Sequence, residues 1–298
     1  MPRISIIMPV YNGQRFIDEA IDSIITQTFK DFELIIIDDG SNDNTNAILN
    51  DWIRRDNRIK IHKQSNSGIV SALNKGIEIA TGDYIARMDA DDLSHPERLE
   101  LQYDYLCRNN LDICGCDYYE IDENNIINNL RIVPKTPEMI AIALCSNVPF
   151  AHPSVMFKTE FLVKNNIFYG QSAYKNAEDL ALWVSFYNKG ARFGNVDSIL
   201  FKYRVLQNSL SRKKRDLILR ESSEIFNFYF KTHKKTLIAA LNNTIDTMRA
   251  YERVWVLSLC MKLLFKSANM SILTYLKRFP KKMILNVFLS ELNKILKM

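Results

Sequence analysis

The sequence predicts an α/β protein, a mostly parallel sheet flanked by helices and continued by a helical, basic C-terminal extension. Three observations predict it. Strand-like apolar runs alternate with helix-spaced runs from residue 3 to about residue 109, and alternation of near-continuous apolar strands with helices belongs to a parallel sheet covered on both faces. Three of the strand-like runs end in polar clusters, Tyr11-Asn12, Asp38-Asp39 and Asp89-Asp91, and in such sheets ligands gather outside the carboxyl ends of the strands. Charge divides the chain: residues 1–200 carry 28 Asp+Glu against 19 Lys+Arg, whereas residues 201–298 carry 6 against 20. Two parts with different surroundings are expected, with domains at 1–211 and 212–298.

Residues 3–10 read as a buried strand and Tyr11-Asn12-Gly13 as its turn, and Phe16, Ile17, Ala20, Ile21, Ile24 and Ile25 then fall at helical spacing. The unit recurs: Glu33 to Ile37 is an apolar strand closed by Asp38-Asp39-Gly40-Ser41, and Thr45 to Arg55 is a helix that Asp43 or Asn44 can cap. Arg58 to His62 is a third strand, Ser71 to Ala80 a third helix and Asp83 to Met88 a fourth strand. After a helix near 96–109, a strand is expected at 112–119, a polar hairpin-like excursion at 120–129, a short helix at 137–146 and a strand at 154–157. Leu180, Trp183, Val184 and Tyr187 form the apolar face of a later helix with Glu178-Asp179 in its first turn, and 192–204 is extended. Beyond Ser211 the chain is Lys-rich and helical in pattern.

At 298 residues, 47% apolar and 24% charged, the chain is a packed globular protein rather than a disordered one. Its five cysteines are odd in number and scattered, with neither a disulfide framework nor the spacing of a zinc site. The opening apolar run is too short for a signal peptide, and no window reaches about 18 uninterrupted apolar residues. A cytoplasmic location is expected, with peripheral contact on the inner face of the cell membrane as an extension of it.

The stretch from Tyr84 to Asp92 is mostly apolar and ends in three carboxylates. In an extended segment residues i and i+2 share a side, so Asp89 and Asp91 can converge on one point, where they repel unless a cation or strong donors intervene. Mn²⁺ or Mg²⁺ fits, because such ions take oxygen ligands and combine protein carboxylates with substrate phosphates, and the implied substrate is a nucleoside diphosphate derivative. The same residues also suit a solvated loop that caps the next helix before Pro96.

The other polar clusters carry two readings each. Asp38-Asp39 is a turn, or an acceptor for the imide N–H of a uracil. Pro9, Tyr11 and Asn12 make a turn, or a platform on which a base stacks. Lys75, after Asn74, is a surface lysine, or reaches a phosphate. Glu178-Asp179 at a helix start is favoured by the helix dipole, and equally supplies a general base. His152, between Ala151 and Pro153, is structural or touches substrate.

Taken in order, Pro9-Val10-Tyr11-Asn12-Gly13, Ile37-Asp38-Asp39-Gly40-Ser41, Asn74-Lys75-Gly76, Met88-Asp89-Ala90-Asp91-Asp92 and Ala177 to Trp183 resemble glycosyltransferase family 2 over roughly residues 3–211. The resemblance implies a GT-A, Rossmann-like fold, a nucleotide-sugar donor, a divalent cation and inversion at the anomeric carbon. It places Pro9, Tyr11 and Asp39 on the uridine with Asp38 in support. Asp89 and Asp91 become the DxD-type metal site, Asp91 the more direct ligand, and Asp92 assists the sugar or ribose. Asp179 becomes the catalytic base with Glu178 beside it toward the acceptor, and His152 matches a histidine that precedes Pro-Ser in bacterial members. Many relatives follow the last strand with Tyr-Arg-x-His; here Tyr203-Arg204-Val205-Leu206 has leucine in the last place, while Arg204 and the 209–211 segment stay available for the diphosphate.

The expected activity is transfer of a hexosyl or N-acetylhexosaminyl group from a UDP-sugar to a glycan or lipid-linked saccharide in cell-surface polysaccharide biosynthesis. The alternative is a binding or regulatory protein that retains this fold without catalysis. The basic tail suits an anionic membrane surface, or a bundle with its lysines in solvent; nucleic acid is disfavoured because the acidic part would repel it.

Overall fold

A computed structural model describes residues 1–207, 209–267, 273–277 and 279–296, with only the backbone for residues 210, 211, 265–267, 273, 274 and 290–296. The elements are β1 (Ile4–Val10), α1 (Ile17–Ile25), β2 (Phe32–Asp38), α2 (Thr45–Arg55), β3 (Ile59–Lys63), α3 (Ile69–Ile79), β4 (Tyr84–Arg87), β5 (Leu93–Ser94), α4 (Arg98–Arg108), β6 (Ile113–Ile121) and β7 (Ile127–Arg131). They continue as α5 (Pro137–Ala143), β8 (Met156–Lys158), α6 (Thr159–Lys164), α7 (Glu178–Asn188), β9 (Phe193–Arg204), α8 (Leu210–Lys213), α9 (Arg215–Thr244), α10 (Arg253–Ser267), α11 (Leu273–Leu276) and α12 (Lys281–Leu296). Two compact units result, one of residues 1–133 with 150–214 and one of residues 134–149 with 215–298.

In the first unit the strands form one mixed sheet in the order β3-β2-β1-β4-β8-β6-β9-β5, with β7 on β6. β3, β2, β1 and β4 run parallel. β8 lies antiparallel between β4 and β6, and β9 runs parallel to β6. The expectation of a mostly parallel sheet therefore holds, since β6 and β9 run in the direction of β1 to β4 and, along this order, only β8 and β5 run against it. β5 and α6 were not expected from the sequence, being two and six residues long, too short to show a period.

The alternation of β1 explains its burial on both faces. Ile4, Ile6 and Met8 pack with Ile17, Ala20, Ile21 and Ile24 of α1 in one apolar cluster. Ile7 points the other way against α3, where a Cβ on Gly76 would lie 2.4 Å from Ile7 Cγ2. Glycine at 76 lets α3 approach β1 this closely. Burial between two helical layers fixes β1 along its whole length, so the loop after Val10 starts from a rigid base.

The second unit is helical. Every residue from Met139 to Ala143 of α5 is buried, and Tyr229 of α9 donates its hydroxyl to the Ala141 carbonyl at 3.2 Å. Lys262 of α10 donates to the Cys145 carbonyl, and Val256, Leu257, Leu259, Cys260, Met261 and Leu263 are buried around it. Among the described residues, no helix is long and apolar enough to cross a membrane.

Candidate active site

The carboxyl ends of β2, β1 and β4 lie side by side. Asp38 ends β2, Tyr11 follows β1 and Asp89 stands two residues beyond β4. Asp39 N donates to Val10 O at 2.9 Å and Met88 N to Ile7 O at 3.0 Å, so all three loops leave the sheet in register. Tyr11 is 50% exposed. Asn12, at φ 53°, accepts from Asn42 N through its side chain at 2.9 Å and donates its own N–H to Ser41 Oγ at 2.9 Å. Its side chain ties the loops after β1 and β2 together, the turn of the two readings that the sequence allowed.

Asp38 is buried and accepts from Ser41 N at 2.9 Å, so its carboxylate builds the turn at Gly40. Asp39 accepts from Gln64 Nε2 at 2.7 Å, Ser67 N at 2.9 Å and Gly68 N at 2.8 Å. These bonds fix it at the rim of β2 and β3. Pro9 sits within β1 opposite Ile37. Lys75 pairs with Glu78 of its own helix at 3.2 Å, and Asn74 holds Tyr169 through both backbone groups, Nδ2 to Tyr169 O at 3.0 Å and Tyr169 N to Oδ1 at 2.9 Å.

Asp89, Asp91 and Asp92 each offer a carboxylate oxygen within 4.8 Å of the others. β5 begins just after them and pairs with β9, Leu93 opposite Lys202, which brings Arg204 to the acidic turn. Arg204 N donates to Asp92 Oδ1 at 2.6 Å, Nε to Asp91 O at 2.6 Å and Nη1 to Asp122 O at 2.9 Å. Nη2 lies 3.3 Å from Glu19 Oε2, and the guanidinium carbon is 4.4 Å from the centre of the Phe16 ring. With its side chain 1% exposed, Arg204 is a brace for the acidic turn and not a free diphosphate ligand. Asp92, 1% exposed, is likewise turned inward, so its expected contact with sugar or ribose has no accessible atom. In the 209–211 segment the side chains of Leu210 and Ser211 lie outside the described residues.

Arg87 stands at the centre. It is 4% exposed, and its Nη1 lies 2.5 Å from Asp89 Oδ2. Its charge acts on Asp91, Asp92, Glu178, Asp179 and His152 together, which places the acidic turn and the start of α7 around one cation. Asp39 is two strands away, held by a different set of donors. Burial, and then the charge of Asp89, pushes the Asp91 carboxyl up to about 7. Burial and the charge of Asp91 drive Asp92 well above the ordinary range. Burial and the neighbouring Asp179 bring Glu178 to about 7, and burial also raises Asp179. Asp179 Oδ1 accepts from Leu180 N at 2.6 Å.

His152 opens a single 3-10 turn, His152–Ser154. Its Nε2 shares a 2.7 Å hydrogen bond with the Tyr169 hydroxyl, and its ring meets Trp183 edge-on at 5.9 Å. Burial and then the charge of Arg87 hold its pKa well below the usual value, so the imidazole is neutral at pH 7. Trp183 is fully buried and serves as core. The sequence reading missed Arg87, Tyr169 and the brace role of Arg204. The available signal for Arg87 was a charged residue inside an apolar strand, which is seldom buried without a partner.

The donors suit a hard divalent cation. Three carboxylates converge, the buried Asp92 Oδ2 has no hydrogen-bond partner, and burial and mutual repulsion leave two of the three carboxyls with raised pKa values, as oxygen ligands lacking a cation would be.

The sheet order, with acidic loops at adjacent strand ends, defines an α/β protein of the GT-A class. The family model for glycosyl transferase family 2 matches residues 5–168. The O-antigen biosynthesis glycosyltransferase WbnJ of Escherichia coli is 36% identical over 213 residues, 70% of this chain and 82% of that protein. The chain therefore belongs to glycosyltransferase family 2. Among solved structures, S. aureus TarS 1–349 with UDP-GlcNAc has a TM-score of 0.60 at 17% identity, over 97% of this chain and 89% of that one. The mannosyltransferase PcManGT of Pyrobaculum calidifontis with GDP-Man and Mn²⁺ gives 0.59 at 16%, over 98% and 87%. These two likenesses concern the fold.

Proposed function

We propose that the chain transfers a sugar from a UDP-sugar to a hydroxyl of a saccharide or lipid-linked glycan, with inversion, in cell-surface polysaccharide biosynthesis. The observation that carries this is the arrangement of two acidic groups, Asp89-Asp91-Asp92 and Glu178-Asp179, about the buried guanidinium of Arg87, whose charge acts on both. The WbnJ likeness supports the pathway class, and the UDP-GlcNAc bound by TarS supports the choice of nucleotide.

Tyr11 presents an exposed ring for the base, Asp39 an acceptor for its imide N–H, and Pro9 and Asp38 shape the floor beneath them. Asp89 and Asp91 would hold a divalent cation, Mn²⁺ or Mg²⁺, which when bound would supply positive charge for the departing diphosphate. Asp179 takes the proton from the attacking acceptor hydroxyl. Its raised pKa makes it a better base than an ordinary aspartate, and the Leu180 N–H helps orient it. Attack from the face opposite the diphosphate inverts the anomeric carbon in one displacement. The neutral His152 and the Tyr169 hydroxyl offer hydrogen bonds on the same side as Glu178 and Asp179.

The deciding experiment titrates UDP-, GDP- and dTDP-sugars into the protein with and without Mn²⁺, reading thermal stabilisation and release of nucleoside diphosphate. Metal-dependent stabilisation confined to UDP-sugars is expected; a response only to another nucleotide removes the uridine assignment. Peripheral membrane contact belongs to the same reading: Lys281 and Lys282 precede Leu285 and Leu289, which are 55% and 47% exposed one turn apart on α12. Flotation with phosphatidylglycerol vesicles at low salt tests it, and failure to float discards it.

A further inference from the structure

We propose that Arg87 is the resident counter-cation of the acidic turn, holding Asp89 when no divalent cation is present and competing with one for that carboxylate. The inference rests on the metal site assigned above and goes beyond it by naming an internal antagonist of the metal.

The backbone of Arg87 is fixed by hydrogen bonds on both sides, while its head is only partly satisfied. Its N–H donates to Val155 O at 2.9 Å, and its carbonyl accepts from Nη2 of the wholly buried Arg98 at 2.8 Å. At the other end, Nη1 reaches Asp89 Oδ2 at 2.5 Å. Yet neither Nη1 nor Nε makes a directed hydrogen bond, although both are buried. The pair therefore rests on one close Nη1–Oδ2 approach, without the forked, two-bond geometry that guanidinium and carboxylate ordinarily adopt.

A guanidinium cannot shed its proton to escape burial, and an isolated buried charge is costly. Arg87 therefore needs a carboxylate. Asp89 is the carboxylate it touches, and that side chain is 26% exposed, so a cation entering from solvent meets the same group from its open side. A dication and a guanidinium a few ångströms apart repel, and binding of one weakens the other's hold. Released from Asp89, Arg87 is still faced by Glu178 and Asp179, whose carboxylates already feel its charge.

A purely structural role and this role predict opposite signs. If Arg87 only shapes the turn, its loss scatters the ligands and weakens metal binding. If it competes, its neutral replacement strengthens metal binding. The experiment is calorimetric titration of MnCl₂ alone into the full chain as wild type, Arg87→Gln and Arg87→Lys. Arg87→Gln is expected to bind Mn²⁺ about tenfold more tightly or better, the scale of removing one nearby positive charge, with Arg87→Lys close to wild type. Equal or weaker binding by folded Arg87→Gln overturns the proposal while leaving the metal site standing. No Mn²⁺ binding by the wild type removes the metal site and this proposal with it. Should Arg87→Gln fail to fold, the wild type labelled with ¹⁵N at arginine Nε decides: the Arg87 signal, identified by its loss in Arg87→Lys, moves on addition of MgCl₂ if Arg87 leaves Asp89. A stationary signal at saturating Mg²⁺ overturns the idea.

Discussion

Arg204 donates its backbone N–H to the Asp92 carboxylate at 2.6 Å while its Nε holds the Asp91 carbonyl at 2.6 Å. One residue at the end of β9 thus fixes both the side chain and the main chain of the acidic turn. Arg204→Ala keeps the backbone bond, loses the side-chain bonds and leaves a space beside Phe16. Removing a buried, multiply bonded guanidinium is expected to cost on the order of 3 kcal/mol, read as a lower urea midpoint. Mn²⁺ affinity should fall as well, opposite in sign to Arg87→Gln. A variant with unchanged midpoint and unchanged affinity would remove the brace role.

Asp179→Asn should lower turnover by about 10²–10⁴-fold with donor affinity intact, the usual contribution of a positioned base. Rates at saturating donor and competitive binding of UDP separate the two effects. Wild-type turnover should also decline as pH falls through about 7, because Glu178 titrates there and Asp179 beside it is raised too. The two protons belong to the pair. Glu178→Gln removes the repulsion and moves the acid limb to lower pH.

Glu178 also makes a stability prediction. Its folded pKa of about 7 lies above the ordinary glutamate value of 4.5. Between those values the native state holds more protons than the unfolded one, so stability falls as pH rises across that window and is lowest above it. Glu178→Gln should therefore be more stable than wild type at pH 8, by on the order of 2 kcal/mol, and no more stable at pH 4. Thermal melts at the two pH values check it, and an advantage at pH 4 of equal size would contradict the burial cost assigned to this carboxylate.

What could be read from the chain alone follows from range. β1, β2 and β4 announce themselves because a strand buried on both faces is apolar throughout, and the polar residues that follow mark its carboxyl end. The convergence of Asp89 and Asp91 needs only the two-residue period of an extended chain. The insertion of β8 between β4 and β6 leaves no local trace, since a three-residue strand takes its direction from partners some 40 to 70 residues away in sequence. Arg204 shows its charge in the sequence but not its recipients, Asp92, Asp122 and Glu19, which the pairing of β9 with β5 and β6 and the packing of α1 bring to it. Similarly, Asp38 is acidic in either reading, and only the 2.9 Å bond from Ser41 N turns it from a base contact into the carboxylate of a turn.

Tyr11 is half exposed beside the rim of β2, and an exposed ring that stacks on a base contributes to affinity without supporting the fold. Tyr11→Ala should weaken UDP binding by roughly two- to tenfold and leave the melting temperature within about a degree of wild type, as surface substitutions do. Calorimetry with UDP and a thermal melt together test this; a large loss of stability with unchanged UDP affinity would assign the ring to the fold.

Asn74 copies a backbone hydrogen-bond pair, giving Nδ2 to Tyr169 O and taking Tyr169 N on Oδ1 at 3.0 and 2.9 Å. Through Tyr169 it reaches His152, whose Nε2 shares the 2.7 Å bond with the hydroxyl, so a residue on α3 sets a side chain beside Glu178 and Asp179. Asn74→Ala leaves two backbone groups without partners and should cost about 1–3 kcal/mol, concentrated in the loop after α6. Hydrogen exchange at residues 165–172 should quicken while β1 and β2 stay protected, and turnover should drop with donor affinity unchanged. Asn74→Asp keeps the acceptor for Tyr169 N but sets a carboxylate oxygen against the Tyr169 carbonyl, so it should rescue neither property. Full rescue by Asn74→Asp would mean that Asn74 acts through only one of its two bonds.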